Sequence, residues 1–523
     1  MDANPRYKSP IKRCLYGNTL TEQLEQLGTD KQLEQFAAAR QRLAADPYRP
    51  AYHFVAPQGK MNDPNGLCFW RDRFHLFYQA YPDEADRRQH WGHAVSDDLV
   101  YWQDLPLAIY PDIERKCFSG STLVESDRVI AIYHGKQAGN MIAVARDPLL
   151  LNWEKLPGNP VIPIVEADDS GYPYRVFDPC IWAEEDGYYA LSGTQKDGGN
   201  RSMRFRQDCQ MVEHLFFSKD LQSWRYEGQF VDGGRYTQRG EDGAVPYFWP
   251  LGDKHILLFA SHMRGSQYFL GDYDRTKRKF KPFLHGRFNF GPIGHGGVHA
   301  PSATPDGHGG CYVIHNMNEG IESRGWRQIM SLARVLTLRP DCTLGIEPIR
   351  SMDKLRTTFK RVGPMLLEAN RETVLDDIRG NTIEINAIID PQDANQLSLD
   401  VLRSPDQSEF TSIYFLKNAH ASYRTCELVH KDAIVIDTSR SSLRSDLLSR
   451  PPEIAPFELH EGEDLSLRIF IDRSVVEVFI NGRQCLAQRV YPQRPDSIGL
   501  SIQSRGRQSV LRELTCWQMK SIW

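Results

Sequence analysis

The sequence of 523 residues lacks any long apolar run. No stretch approaches the ~18 consecutive apolar residues of a transmembrane helix, so no helix of that kind is expected. Residues 1–14 are charged and interrupted by proline, where a secretory signal peptide has an apolar centre. We therefore expect a cytoplasmic protein with no membrane partner.

Clustered cysteines and an excess of one charge are also missing. The ten cysteines stand singly, without C-x-x-C spacing, so neither a disulfide framework nor a zinc knuckle is expected. The formal net charge is only −4, which gives no reason to expect nucleic acid as a partner. With 41% hydrophobic residues the chain can form a real core, which excludes global disorder.

Helical periodicity is confined to the beginning of the chain. Leucines recur at helical spacing over residues 20–27, and Gly28 and Asp30 are typical of a helix stop and a new N-cap. A second helical stripe follows. We predict a short N-terminal helical extension over residues 1–49, which packs against the main domain or a second subunit, so a homo-oligomer stays open.

The remaining sequence is typical of an all-β protein, because short β-branched and aromatic runs alternate with Gly, Asp, Asn and Pro turns. Copies of a turn followed by tryptophan occur at 96–102, 146–153 and 218–224. Three copies of one unit indicate repeated sheets around an axis, so we predict a β-propeller over residues 50–350. A linker is predicted at 351–374 and a β-sandwich at 375–523.

Three acidic residues have surroundings unlike those of solvated surface charges. Asp63 lies in the turn sequence of residues 61–66, where a turn-forming role is an equal alternative. Asp178 and Glu241 each adjoin small and aromatic residues, which makes them candidates for partial desolvation.

Together these acids suit the cleavage of a glycosidic bond. Cleavage with retention needs a carboxylate nucleophile and a protonated carboxyl roughly 5 Å apart. The first strands of propeller blades line one funnel, so acids from distant positions in the sequence can meet there. Trp91 and Phe118 are candidates for the apolar platform of a sugar ring.

Five motifs occur in combination, and they are Met61-Asn-Asp-Pro-Asn-Gly66, Phe77-Tyr-Gln79, Trp91-Gly-His-Ala-Val-Ser-Asp-Asp-Leu-Val-Tyr-Trp102, Phe118-Ser-Gly-Ser121 and Ile469-Phe-Ile-Asp-Arg-Ser-Val-Val-Glu-Val-Phe-Ile-Asn-Gly482. From about residue 50 to the end, the sequence resembles the invertase and fructosidase family, glycoside hydrolase family 32. The resemblance implies a five-bladed β-propeller joined to a β-sandwich. It also implies a retaining β-fructofuranosidase that cleaves terminal β-D-fructofuranosides such as sucrose through a covalent fructosyl-enzyme.

The resemblance implies a role for each of the three acids. Asp63 resembles the nucleophile, and Asp178 resembles the transition-state stabiliser. Glu241 resembles the acid/base, although the family's Glu-Cys-Pro-Asp is replaced here by Glu-Asp-Gly-Ala-Val-Pro. Asp242 is adjacent to Glu241, and Glu213 is a more distant rival for the same role.

The resemblance also implies a substrate-binding set, which comprises Asn62, Gln79, Trp91, Phe118, Ser119, Arg175, His295 and His299. Arg175 stands three residues before Asp178, where it can replace the arginine that the family has directly before this acid. The letters Arg-Asp-Pro at 146–148 are interpreted as a blade turn. His295 and His299 have the spacing of a metal pair, but no third ligand is in reach, so substrate contact is favoured. No metal or organic cofactor is expected.

The sequence leaves other activities open. A sugar hydroxyl could capture the same fructosyl-enzyme, which would make a fructosyltransferase of the levan or inulin type or one that forms a difructose anhydride. Arg87 and Arg88 would suit a sucrose-6-phosphate hydrolase, although such arginines are also ordinary surface residues. An inverting arabinose or xylose glycosidase and a sugar-binding protein without catalysis are less favoured, because the fructoside motifs and all three acids are present.

Overall fold

The computed structural model describes residues 7–82, 88–164, 174–196, 210–233, 236–294, 296–322, 325–424, 427–448 and 450–523. In this part of the chain, seven β-sheets follow two helices. The first strands of five sheets contact one another in cyclic order, which closes a five-bladed β-propeller. The other two sheets form a β-sandwich. The predicted fold is therefore confirmed.

Each propeller blade is an antiparallel sheet. Blades one and two contain β1 (Gly59–Trp70), β2 (Arg73–Tyr81), β3 (His90–Ser96), β4 (Gln103–Ile109), β5 (Cys117–Val124), β6 (Val129–Gly135), β7 (Gly139–Ala145), β8 (Glu154–Lys155) and β9 (Ile162–Pro163). Blades three and four contain β10 (Pro179–Glu184), β11 (Gly187–Lys196), β12 (Gln210–Ser218), β13 (Arg225–Gln229), β14 (Ala244–Leu251), β15 (Lys254–Ser261), β16 (Gly265–Asp274) and β17 (Lys279–Arg287).

The fifth blade also ties the propeller closed. Its region contains β18 (Val298–Pro305), β19 (Cys311–Met317), β20 (Trp326–Arg327), β21 (Ile329–Met330), β22 (Arg334–Leu338) and β23 (Leu344–Pro348). The short strand β20 pairs in parallel with β1, so the end of the propeller chain is bonded to its beginning. Strands such as β6 and β7 are buried along their whole length, because adjacent blades cover both faces, and this explains their continuous apolar sequences.

The β-sandwich has an aliphatic core between its two sheets. Its strands are β24 (Arg356–Val362), β25 (Met365–Leu367), β26 (Glu372–Val374), β27 (Thr382–Asp390), β28 (Gln396–Arg403), β29 (Thr411–Arg424), β30 (Glu427–Asp437), β31 (Glu453–Phe457), β32 (Leu465–Asp472), β33 (Val475–Ile480), β34 (Gln484–Arg489), β35 (Gly499–Arg505) and β36 (Ser509–Met519). The segment 351–374, predicted as a linker, differs from that expectation. After the 3₁₀ helix Arg350–Leu355, its three short strands pair with β36 and β35 and so belong to the sandwich.

The N-terminal extension forms helices α1 (Leu20–Leu27) and α2 (Lys31–Leu43), with N-caps at Thr19 and Asp30. In α1, the fully buried Gln23 donates a 2.6 Å hydrogen bond to Asp147, which lies in the blade turn at 146–148. The two helices therefore pack against the propeller. Among the described residues, none of the helices is both long and apolar enough to cross a membrane.

Four fully buried charged side chains join the propeller to the sandwich, and we call them the joint cluster: His53, Arg334, Asp472 and Glu477. Asp472 accepts hydrogen bonds from the backbone N–H groups of residues 51–53 and lies 2.9 Å from Nδ1 of His53. Glu477 accepts from Nη2 of Arg334 at 3.0 Å and lies 3.2 Å from Nε2 of His53. Each carboxylate of the joint cluster is thus paired.

Candidate active site

The candidate site lies where the first strands of the blades enter the propeller funnel. A β-bulge interrupts the pairing of β1, β5, β14 and β18 near the start of each strand. Such a bulge redirects a side chain out of the regular alternation. The bulges of β1, β5 and β18 contain Asp63, Ser119 and His299, respectively. The bulge of β14 contains the apolar Val245.

Asp63 is contacted by three polar side chains of the funnel. Its Oδ2 accepts hydrogen bonds from Nε2 of Gln79 at 3.0 Å and from Oγ of Ser119 at 2.7 Å. Nδ1 of His299 lies 3.5 Å from Oδ1. Burial alone would raise the pKa of Asp63, but His299 and Ser119 outweigh burial and hold it below the usual value. The funnel therefore holds Asp63 as a carboxylate.

Asp178 directly precedes β10 and has the opposite electrostatic character. Burial raises its pKa well above the usual value, and the negative charges of Asp63 and Asp242 add to this effect. His262 and the backbone N–H of Val245 oppose the rise without cancelling it. Two acids of different proton affinity thus share the funnel.

Several predicted binding residues surround Asp63. Asn62 donates a 2.9 Å hydrogen bond to Oε1 of Gln79, and Gln79 donates to Ser119. Phe118, next to Ser119, is partly exposed. Trp91 differs from the expectation of a sugar platform, because it is fully buried, and its indole N–H donates to the carbonyl of Phe118. It positions the funnel wall rather than lining it.

Two further predicted binding residues are Arg175, which does not contact its expected partner, and His295, which lies outside the described residues. Arg175 donates to the neighbouring carbonyl of Tyr174, and in the described part of the chain it forms neither a hydrogen bond nor an ion pair with Asp178. His295 and Arg87 lie outside the described residues, and Arg88 borders that gap. The proposed guanidinium contact to Asp178 therefore stays a prediction.

Glu241 is buried in a cationic environment just before β14. Nε of Arg264 lies 3.1 Å from its carboxylate, and Nη2 of Arg287 lies 3.3 Å from it. Its own turn also donates a backbone N–H, from residue 238. Both guanidinium groups thus contact this carboxylate directly. The acid/base role of Glu241 stays a prediction.

Asp242 turns away from Glu241 and holds a histidine instead. Its Oδ1 accepts from the backbone N–H of His262 at 2.9 Å, and its Oδ2 lies 2.8 Å from Nδ1 of the same residue. Burial lowers the pKa of His262, but the charge and hydrogen bond of Asp242, with the charges of Asp178 and Asp63, raise it to about 9. A protonated imidazole therefore faces the two acids.

Glu213, the more distant rival of Glu241 in the sequence, lies on β12. It is fully buried, and within the described residues neither carboxyl oxygen has a hydrogen-bond partner. Burial raises its pKa well above the usual value, and Asp242 and Asp178 add to the rise. A Cβ at Gly193 would lie 2.7 Å from Oε2, and one at Gly243 would lie closer still to Oε1. The two glycines thus make room for this carboxyl.

Comparison with protein families decides the relationship. Residues 53–348 match the family model described as the N-terminal domain of glycosyl hydrolases family 32. Residues 351–518 match the C-terminal model of the same family. The chain belongs to glycosyl hydrolase family 32. It is therefore a glycoside hydrolase, as the motifs predict.

Relatives within family 32 cover nearly the whole chain. Levanase of Bacillus subtilis (strain 168) is 28% identical, over 91% of this chain and 71% of the levanase. Sucrose-6-phosphate hydrolase of Escherichia coli is 27% identical, over 90% of this chain and 95% of that enzyme. Among solved structures, fructan 1-exohydrolase IIa from Cichorium intybus has a TM-score of 0.76 at 23% identity and covers 91% of this chain and 98% of its own. This last likeness concerns the fold.

His262 is a titratable residue near the funnel acids that the sequence analysis did not single out. The second strands of blades one and two end in polar residues near the funnel, namely Gln79 and His134. His262 directly follows the second strand of blade four, after the apolar run at 255–260. A search for polar residues where apolar second strands end would have found it.

Proposed function

We propose that this family 32 glycoside hydrolase cleaves terminal β-D-fructofuranosides such as sucrose with retention, through a covalent fructosyl-enzyme at Asp63. The observation that carries the proposal is the environment of Asp63. This carboxylate is kept ionised by His299 and Ser119, beside a second acid, Asp178, with a raised pKa. A low proton affinity is what a carboxylate nucleophile needs, and the unlike neighbour is typical of paired catalytic acids.

The covalent step follows from these positions. A carboxylate oxygen of Asp63 attacks C2 of the fructosyl unit, and the electron pair of the C2–O bond leaves with the aglycone oxygen, which takes a proton from a general acid. Asn62, Gln79 and Ser119 provide hydrogen-bonding groups for the sugar hydroxyls. Positive charge that develops on the sugar favours the anionic form of Asp178, so their attraction grows in the transition state.

Water then completes the cycle in hydrolysis. It attacks C2 from the side that the aglycone has left, its proton passes to the general base, and the carboxylate of Asp63 departs. Two inversions restore the original configuration. The names of the relatives, which include a levanase and a sucrose-6-phosphate hydrolase, support a fructoside substrate and leave chain length and phosphorylation to the experiment.

The test is incubation of the purified enzyme with sucrose, levan, inulin and sucrose 6-phosphate, followed by quantification of free glucose, glucose 6-phosphate and fructose. Equal release of both halves of sucrose supports hydrolysis, and glucose in excess of fructose supports transfer to a sugar hydroxyl. The matched control is Asp127→Ala, an exposed acid in a blade turn. Retention is tested by NMR, which should detect the β anomer of fructose first. Release of fructose from none of these substrates would overturn the proposal.

A further inference from the structure

The wall of the funnel differs between its two sides. On blades one and two, four polar side chains form a hydrogen-bonded group, which we call the polar sector: Asn62, Asp63, Gln79 and Ser119. The first strand of blade one contacts those of blades two and five, so blades three and four lie across the axis from Asp63. The side chains on that far side are of a different kind.

Five rings follow one another around the rest of the funnel, and we call them the ring belt: Phe118, His134, Phe177, His262 and His299. Successive ring centroids are 6.0, 5.2, 6.1 and 5.6 Å apart. Four of these side chains are partly exposed, whereas His134 is buried between the two phenyl groups. Burial lowers the pKa of His134 to about 4, so this ring packs there as a neutral group.

Phe177 is the central ring of the belt and directly precedes Asp178. It packs against a cluster of small apolar residues, namely Ala244, Val245, Ala260 and Ala300. The side chains of this cluster offer neither a hydrogen-bond donor nor an acceptor, so they leave the hydroxyl groups of a sugar unpaired. An aromatic ring suits this part of the wall better, because its burial sacrifices no hydrogen bond to water.

Two hydrogen bonds with Ser192 fix the backbone of Phe177. The N–H of Phe177 donates to Oγ of Ser192 at 2.8 Å, and the same hydroxyl group donates to the carbonyl of Phe177 at 3.2 Å. The chain directly before Asp178 is therefore held through its backbone and not through the phenyl group. A substitution of the phenyl group changes the wall of the funnel and keeps these two bonds.

The direction of the displacement at C2 places the leaving group beside the ring belt. In a displacement, the leaving oxygen lies on the face of the sugar opposite the attacking oxygen. Asp63 attacks from blade one, so the leaving group extends toward blades three and four, where Phe177 lies. The fructosyl unit then lies against the polar sector, whose amide and hydroxyl groups match its own hydroxyls.

We propose that the ring belt is the subsite for the leaving group, and that Phe177 makes the enzyme select fructosides of aromatic alcohols. This inference rests on the proposed function, because it specifies the leaving group of the same fructosyl transfer. The C2–O bond breaks as Asp63 attacks, and the aromatic alcohol leaves with the electron pair of that bond and a proton from the general acid. Water then releases fructose from Asp63 as in the reaction above.

Two synthetic substrates isolate the contribution of the ring. Benzyl and methyl β-D-fructofuranoside release alcohols of similar acidity, so they differ mainly in the phenyl group. In the wild type, we expect kcat/KM for the benzyl fructoside to exceed that for the methyl fructoside about tenfold, because a phenyl group that stacks on Phe177 is removed from water. Phe177→Ala should lower this ratio to about three or less. The KM of the wild type for sucrose should be higher than for the benzyl fructoside, since the glucosyl group is polar.

The ratio of the two kcat/KM values does not depend on the amount of folded enzyme, so a loss of stability alone leaves it unchanged. Phe283→Ala is the matched control, because Phe283 is exposed on β17. It should keep the wild-type ratio. Phe177→Leu retains an apolar side chain of similar size and should lower the ratio less than Phe177→Ala. The leucine variant decides the test if the alanine variant does not fold.

A second measurement follows the first step in reverse and needs no variant. The fructosyl-enzyme formed from sucrose is offered benzyl alcohol or methanol, and the fructosides that form are quantified by chromatography. An acceptor occupies the same subsite as a leaving group, so benzyl alcohol should capture the fructosyl-enzyme at about tenfold lower concentration than methanol.

The outcomes separate the inference from the function on which it rests. A wild-type ratio near one, equal capture by the two alcohols, or an unchanged ratio in the variants of Phe177 would overturn the inference, while release of fructose from either substrate would leave the proposed function intact. If the wild-type enzyme releases fructose from neither synthetic fructoside and from none of the natural substrates, the proposed function itself is wrong.

Discussion

This protein has two groups of buried charged residues, the joint cluster and the acids of the funnel. Both contain carboxylates, but the surroundings of these carboxylates differ. In the joint cluster, Glu477 is paired with Arg334 and His53, and these cations outweigh burial so that the pKa of Glu477 is lowered. In the funnel, Asp63, Asp178 and Asp242 face one another, and burial together with like charge raises the pKa of Asp178. In the joint cluster the cations outweigh the burial of Glu477, whereas in the funnel the histidines outweigh burial at Asp63 but not at Asp178.

This difference shows which surroundings give a buried carboxyl an unusual proton affinity. Buried carboxylates occur in both places, so burial alone does not identify the catalytic group. What differs is that Glu477 is paired with two cations, whereas Asp178 has other carboxylates beside it and His262 does not cancel their effect. Single substitutions in the joint cluster or in the funnel test this comparison, provided that activity and stability are measured separately.

The largest effect is expected at the nucleophile. Asp63→Ala should lower turnover by on the order of 10⁵-fold, because the covalent route is lost. Folding should persist, since one of several like charges in the funnel has been removed. Steady-state kinetics and thermal melting test both statements, with Asp127→Ala as the surface control. Substantial turnover in Asp63→Ala would show that Asp63 is not the nucleophile.

Removal of a cation from the joint cluster should lower stability and leave activity nearly unchanged. Arg334→Met leaves Glu477 buried beside one fewer cation, which should cost about 3–5 kcal/mol of unfolding free energy. The kcat of the remaining folded enzyme should change little, because Arg334 does not reach the funnel acids. Urea denaturation measures the loss. Arg73→Met removes an exposed pair with Asp97 and should cost less than about 1 kcal/mol.

Asp178→Asn should separate activity from stability in the funnel. Because the pKa of Asp178 is raised by folding, wild-type stability falls as pH rises from the usual carboxyl range through this raised pKa. The neutral amide avoids that loss, so the stability of the variant relative to the wild type should be higher at neutral pH than in acid, by on the order of 1–2 kcal/mol. Its turnover should nevertheless fall. A pH-independent difference in stability between the two proteins would contradict the raised pKa.

A small change near the nucleophile should give the smallest effect. Ser119→Ala removes a 2.7 Å hydrogen bond to Asp63, so the pKa of Asp63 should rise. Since the nucleophile acts in its ionised form, the acid limb of kcat/KM should move to higher pH. The loss at the optimum should be about tenfold or less. An unchanged acid limb would mean that Ser119 does not tune Asp63.

The fold and the presence of Asp63 in the funnel were predictable from the sequence, because both depend on local patterns. Repeated turns, apolar strands and the motif around Asp63 are contiguous in the chain. The partners of Glu241 were not predictable, since Arg264 and Arg287 reach it only after β15, β16 and β17 have folded beside it. Trp91 likewise became a core residue because Phe77 and Tyr133 pack against it from two blades.

The central claim is that Asp63 forms a bond to fructose, and mass spectrometry of the acid-quenched enzyme tests it most directly. Wild-type enzyme and Asp127→Ala are mixed with 4-nitrophenyl β-D-fructofuranoside, quenched during turnover, digested and mapped. The account predicts the added mass of one fructosyl unit on the peptide that contains Asp63, in the wild type and in the surface control alike. Attachment at another residue, or turnover to the α anomer of fructose with no labelled peptide, would contradict it.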